Sequence, residues 1–124
     1  MTIGILRVAA SAAEVAADAR LRGATVATVG AIDERRALLT AIGRELRFPA
    51  HYGRNLDALA ECLGDLSWLP AGEVVLIWDG ADALRQNDPR GHRVLLEVLA
   101  AAVESTADGA RPLRVVLTGT SVPR

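Results

Sequence analysis

Two periodicities alternate along the chain. Residues 25–29 (TVATV), 73–78 (EVVLIW) and 113–118 (LRVVLT) are short runs rich in β-branched residues, punctuated by glycine or proline, and they predict strands. The middle run is almost wholly apolar, as in a strand buried on both faces. Between these runs the apolar spacing turns helical. Leu38, Leu39, Ile42 and Leu46 form one stripe, Leu56, Leu59, Leu63 and Leu66 a second, and Val94, Leu95, Val98, Leu99 and Val103 a third. A weaker segment, GILRVAA at 4–10, predicts a short edge strand.

Start and stop signals set the helix ends. Ser11 followed by Glu14 is a capping box, opening an Ala-rich helix that ends near Gly23. Asp33 is the expected cap of the next helix. Phe48-Pro49 is its expected stop, because the residue before a proline avoids the α region. A third helix is predicted from 55 to 63, and a turn over 66–72. Residues 79–86 read as one short helix. Asp88-Pro89 opens a long one that runs to about 105. This order predicts an α/β fold, a small three-stranded parallel sheet flanked by helices. No repeat or linker divides the 124 residues, which read as a single domain. Residues 24–119 form its expected core, and 1–22 an N-terminal strand/helix extension.

Composition removes several function classes. A hydrophobic share of 51% supports a core without staples. All fourteen basic residues are Arg, the formal net charge is −1 and the pI is about 6.1. That is not the basic footprint of a nucleic-acid binder, so no direct nucleic-acid contact is expected. A locally acidic face would suit a basic protein partner. The single cysteine, Cys62, excludes an internal disulfide and a thiolate metal cluster. Beside its apolar stripe it reads as a small buried hydrophobe. No apolar run approaches the ~18 residues of a membrane span, and Arg7 and Glu14 interrupt a start that lacks a basic n-region. The expectation is a cytoplasmic protein with no membrane contact, no cofactor and no metal.

The densest candidate chemistry lies in FPAHYGRNLDALAECLGDL, residues 48–66. A rigid aromatic corner leads into a helix with Asp57 and Glu61 at i and i+4, and Asp65 one turn later. One account is a solvated face with Arg54 and Asp57 as an i, i+3 pair. Yet like charges at i, i+4 cost a helix roughly 0.2–0.5 kcal/mol, which hints at a partner. Asp57 and Glu61 do not suit a glycosidase-type acid/base pair, which needs two carboxyls facing each other across a cleft. His51, Asp57 and Glu61 lack a second nearby histidine for a metal, since His92 lies far along the chain. Gly109 and Gly119 match no phosphate loop. Trp68 and Trp78 read as core, and Arg85, Arg90 and Arg93 as a solvated basic cluster.

The same stretch resembles the central motif of the barstar family, the intracellular inhibitors of barnase-type ribonucleases. Pro49, Tyr52, Gly53, Asn55, Leu56, Asp57, Ala58, Leu59, Glu61, Cys62 and Leu63 carry the likeness. A weaker likeness runs from about Thr25 through VVLIWDG to RVVLTG. The resemblance implies a three-stranded parallel sheet and no enzymatic activity. It also implies an inhibitor that plugs the basic active site of a small ribonuclease or similar nuclease toxin, its acidic helix standing in for RNA phosphate. Asp57 and Glu61 would be the carboxylate probes, Glu61 standing where the family has Asp. Asn55, Leu56 and Gly53 would shape the approach, with Tyr52, His51, Arg54 and Asp65 completing the partner-binding surface. His51 replaces an aromatic of the family's binding surface. Ala60 and Leu66 replace tryptophans, and the family's interfacial Glu on the last long helix falls at Ala100 or Ala101. A nuclease with a differently shaped site is the implied partner. The alternative is a protein-binding module of the same fold whose partner is not a nuclease.

Overall fold

The computed structural model describes residues 4–119. Strands β1 (Ile5–Arg7), β2 (Thr25–Val29), β3 (Val74–Asp79) and β4 (Leu113–Thr118) form one parallel sheet in the order β1-β4-β3-β2. The helices are α1 (Ala12–Leu21), α2 (Arg35–Glu45), α3 (Leu56–Asp65), α4 (Asp82–Asn87) and α5 (Pro89–Thr106). The sheet therefore has four strands, where the sequence pattern predicts three. The N-terminal segment joins it, with Ile5 opposite Val115 and Arg7 opposite Leu117. Without β1, β4 would present an open edge of unpaired backbone groups.

The two-residue period of a strand sorts the core into two layers. Val74, Leu76 and Trp78 of β3 and Leu113, Val115 and Leu117 of β4 face the larger one, with Leu38 and Ile42 of α2, Leu59 and Leu63 of α3 and Leu95 and Leu99 of α5. Val75, Ile77 and Val116 face the other side, under Ala16 and Ala19 of α1. This double coverage explains why EVVLIW shows no alternation. Short alanine side chains let α1 lie close to the sheet. In α5, Leu95 and Leu99 are buried as the spacing predicts, while Val94, Val98 and Val103 are only half-buried.

Several boundaries differ from the sequence pattern for identifiable reasons. Ser11 and Glu14 do form the reciprocal capping box. Glu34, rather than Asp33, caps α2, its carboxylate accepting from the Arg36 and Ala37 amides at 2.9 and 3.0 Å. The Asp33 carbonyl instead accepts from the Asn87 side chain at 2.6 Å. Helix α2 stops before Phe48-Pro49. Arg47 turns left-handed (φ 58°), and the Phe48 amide donates to the Gly43 carbonyl at 2.8 Å, a Schellman closure. Asp79 stays in β3, where it accepts from the Thr118 hydroxyl at 2.8 Å, so α4 begins only at Asp82. Asp88 caps α5 through the Gly91 amide, with Pro89 in the first turn. Among the described residues no helix is long and apolar enough to cross a membrane.

One core contact carries a pH dependence. Trp78 (1% exposed) and His92 (7%) lie with ring centroids 5.7 Å apart. Trp78 Nε1 and His92 Nε2 are buried without a hydrogen-bond partner among the described residues. Burial lowers the His92 pKa, nearby Arg7 and Arg85 push the same way, and Asp82 opposes them. The unfolded chain therefore takes up a proton that the folded protein resists, and stability falls as pH drops through the unfolded histidine value of about 6.5. The urea midpoint is expected to decline between about pH 7.5 and 5.5, the range around the ordinary histidine value. In His92→Leu that decline should flatten; an unchanged slope would dissociate it from His92.

A candidate partner-binding face on helix α3

Three of the four aromatic side chains in the chain meet at one corner. Phe48 packs edge-on against Tyr52 at 4.8 Å and against Trp68 at 5.8 Å between centroids, the arrangement that aromatic quadrupoles favour. The Tyr52 hydroxyl donates to the Leu39 carbonyl at 3.1 Å. Trp68 Nε1 donates to the Leu46 carbonyl at 2.9 Å. Tyr52 precedes α3 and Trp68 follows it, so both ends of α3 are tied to the backbone of α2 and its cap. Trp68 is accordingly half-buried rather than core. Gly43 makes room for this, because a Cβ there would sit 2.7 Å from Tyr52 Cε2.

The entry to α3 is a tight turn. Arg54 adopts a left-handed backbone (φ 54°) and Asn55 returns to an extended one. The Asn55 side chain then accepts from the Ala58 amide at 2.8 Å, an N-cap worth about 1 kcal/mol. Leu59, Leu63 and Leu66 are 0% exposed, each burial contributing roughly 1.5–3 kcal/mol. Leu66, left-handed at φ 51°, closes the helix. With that side fixed inward, Asp57, Glu61 and Asp65 are exposed on the other.

The three carboxylates make no ion pair and no side-chain hydrogen bond among the described residues. Five carboxylates elsewhere do pair: Arg22 with Asp18 and Glu73, Arg35 with Asp88, Arg44 with Glu45, Arg85 with Asp82, and Arg114 with Glu73. The Arg54–Asp57 pair that the spacing suggests does not form. Arg54 lies in the left-handed turn outside the helix, where helical i, i+3 geometry does not apply. Asp57 sits favourably in the first turn, but Asp65 faces the negative end of the helix dipole with no basic residue in the last turn. Cys62 is half-buried, less than its stripe predicts. Its thiol pKa is raised by burial first, then by Glu61 and Asp65. Burial pushes Tyr52 up to about 12, with Cys62 adding to the shift and Arg54 opposing it.

Two clefts flank the helix. One, of about 350 Å³, is lined by His51, Tyr52 and Gly53 on one wall and Glu61, Cys62 and Asp65 on the other. The second, of about 520 Å³, lies at the helix start, where Arg54, Asn55, Leu56 and Asp57 meet Glu34, Arg35, Arg36 and Leu39 of the α2 entry. All nine residues singled out in the sequence line one cleft or the other. Arg36 joins them only through tertiary packing, and no local motif marks it. Leu56 is half-buried rather than core. His92 stands beside Trp78 instead, and no cluster of three or more His, Cys, Asp or Glu among the described residues is placed to hold a metal ion.

A family model described as Barstar (barnase inhibitor) matches residues 24–118. The chain belongs to the barstar family. No curated protein matches it. The matched region runs from just before β2 to the end of β4 and contains the aromatic corner, both clefts and α3. Strand β1 and helix α1 lie outside it, although α1 packs over Val75, Ile77 and Val116 on one face of the sheet.

Within the barstar-family region, Gly43 and Gly64 give a paired test. Gly→Ala in a helix interior ordinarily gains about 0.8–1 kcal/mol. Gly64 has open space at its Cβ position, whereas at Gly43 the new methyl would meet the Tyr52 ring. Gly64→Ala is expected to raise the urea midpoint. Gly43→Ala is expected to lower stability by about 1–3 kcal/mol, the usual range for overpacking. A gain in both variants would contradict the close seating of Tyr52 on α2.

Proposed function

We propose that this protein inhibits a small basic ribonuclease, or a similar nuclease toxin, by seating the exposed side of α3 in its active site. The carrying observation is the row Asp57, Glu61 and Asp65, unpaired among the described residues and held outward by a helix fixed at both ends. A ribonuclease site must hold phosphate, and does so with cationic side chains. Carboxylates at helical spacing can take the place of successive phosphates, and charge-assisted hydrogen bonds to Arg, Lys or His⁺ are the strong kind. Their summed field also speeds encounter with a basic protein.

Glu61 is central in the row and one methylene longer than the aspartate of the family pattern, so it reaches further into the partner. Asn55, Leu56, Gly53, Tyr52, His51 and Arg54 frame the approach. The protein needs no cofactor for this and makes no direct contact with RNA. It would act in the cytoplasm, where an unchecked nuclease meets RNA, as the immunity partner of a toxin. Ala60, exposed on α3 where the family pattern has tryptophan, favours a second account, the same frame docking a protein that is not a nuclease.

Affinity capture with two baits tests the proposal. Wild-type protein should retain a small basic nuclease in a one-to-one complex that weakens as salt rises from about 0.05 to 0.5 M. The Asp57→Ala/Glu61→Ala double variant should lose it. Equal retention by both baits would remove α3 from the interface, and a retained partner without nuclease activity would favour the second account.

A further inference from the structure

The cleft at the α2–α3 junction carries charge of the opposite sign from the row beside it. Arg36 and Arg54 are both exposed on its rim, over Leu39 and Leu56. Neither guanidinium makes an ion pair or a hydrogen bond among the described residues. Two of the other charges nearby are already engaged. Arg35 is held by Asp88 at 3.1 Å, and both oxygens of Glu34 accept backbone amides of α2. Asp57 lines the same cleft as Arg54 and stays unpaired with it. Two free guanidinia therefore stand next to free carboxylates on one exposed surface, with opposite charges left unsatisfied side by side.

Resting on the ribonuclease-inhibitor reading, we infer that the partner carries a carboxylate beside its cationic centre, and that the Arg36/Arg54 cleft receives it. The guanidinium fork suits this role, because its planar donors bind a carboxylate bidentately, which an ammonium cannot do. The surface then recognises a pattern of charge rather than a total. A protein basic throughout would meet Asp57 and Glu61 favourably and be repelled at Arg36 and Arg54. Such paired attraction and repulsion separates one partner from others of similar charge.

The sign of one mutational effect decides the matter. Arg36→Glu/Arg54→Glu makes the face more acidic. If carboxylates alone bound a basic nuclease, that change would speed association and tighten the complex. If the cleft holds a partner carboxylate, the complex weakens by on the order of tenfold or more, because like charges then face each other. The probe is the nuclease retained by the wild-type bait, with association and dissociation rates measured at two salt concentrations. Arg36→Lys/Arg54→Lys keeps the charge and loses the fork; it should weaken binding by a smaller factor, chiefly through faster dissociation. Urea midpoints near wild type in both variants would assign the effect to binding rather than folding. Binding by the Glu variant that is unchanged or tighter overturns the inference while Asp57→Ala/Glu61→Ala still loses the nuclease. Indifference of the nuclease to all of these variants would overturn the inhibitor reading itself.

Discussion

The surface chemistry of this protein depends on the attachment of α3 to α2. Two side-chain hydrogen bonds, from Tyr52 to the Leu39 carbonyl and from Trp68 to the Leu46 carbonyl, fix the segments on either side of α3. Phe48 fills the space between the two rings. An isolated ten-residue helix is marginal in water, and α3 has only ten residues. Its persistence comes from tertiary contacts, namely this corner, the Asn55 cap and three buried leucines. Once those leucines face the core, helical geometry leaves Asp57, Glu61 and Asp65 no direction but outward.

The acidic row is not what a helix optimised for stability would carry. Its like charges repel at i, i+4 and Asp65 opposes the dipole, while Asp18, Glu45, Glu73, Asp82 and Asp88 each have an arginine partner. Local rules broken without a local gain tend to mark function. The same argument extends to the free guanidinia of Arg36 and Arg54. Arg54 also holds a left-handed backbone that a non-glycine residue adopts at some cost. Membership of the barstar family makes a nuclease the natural object of the row, whereas the arginine cleft rests on the geometry of this chain.

Much of the fold is written locally. TVATV and LRVVLT become β2 and β4 with the predicted limits, because β-branched runs between glycine and proline leave few alternatives. Leu59, Leu63 and Leu66 point inward as their spacing requires. What escapes the sequence is tertiary. The edge strand expected within 4–10 does form as β1, but its three residues are too short to show which strand it joins, and the open edge of β4 gives it that place. EVVLIW announces burial on both faces without saying that α1 supplies the second cover. Asp33 is the better cap by residue type, but Glu34 occupies the N-cap position and its carboxylate takes the amides. Nothing marks Arg47 as the left-handed stop of α2, and nothing brings Arg36 to Arg54 except the packing of α2 beside α3. The candidate face was legible because its aromatic corner, cap and carboxylates are contiguous; the second cleft was not, because half of it comes from another helix.

We propose that the α3 carboxylates occupy the place of RNA phosphate. The most direct measurement is competition between this protein and a mononucleotide bound in the active site of the captured nuclease. Apparent affinity for the protein should fall in proportion as the nucleotide fills that site, with no ternary complex at saturation. Affinity independent of nucleotide, with all three components held together, would place the protein elsewhere on its partner and contradict the account.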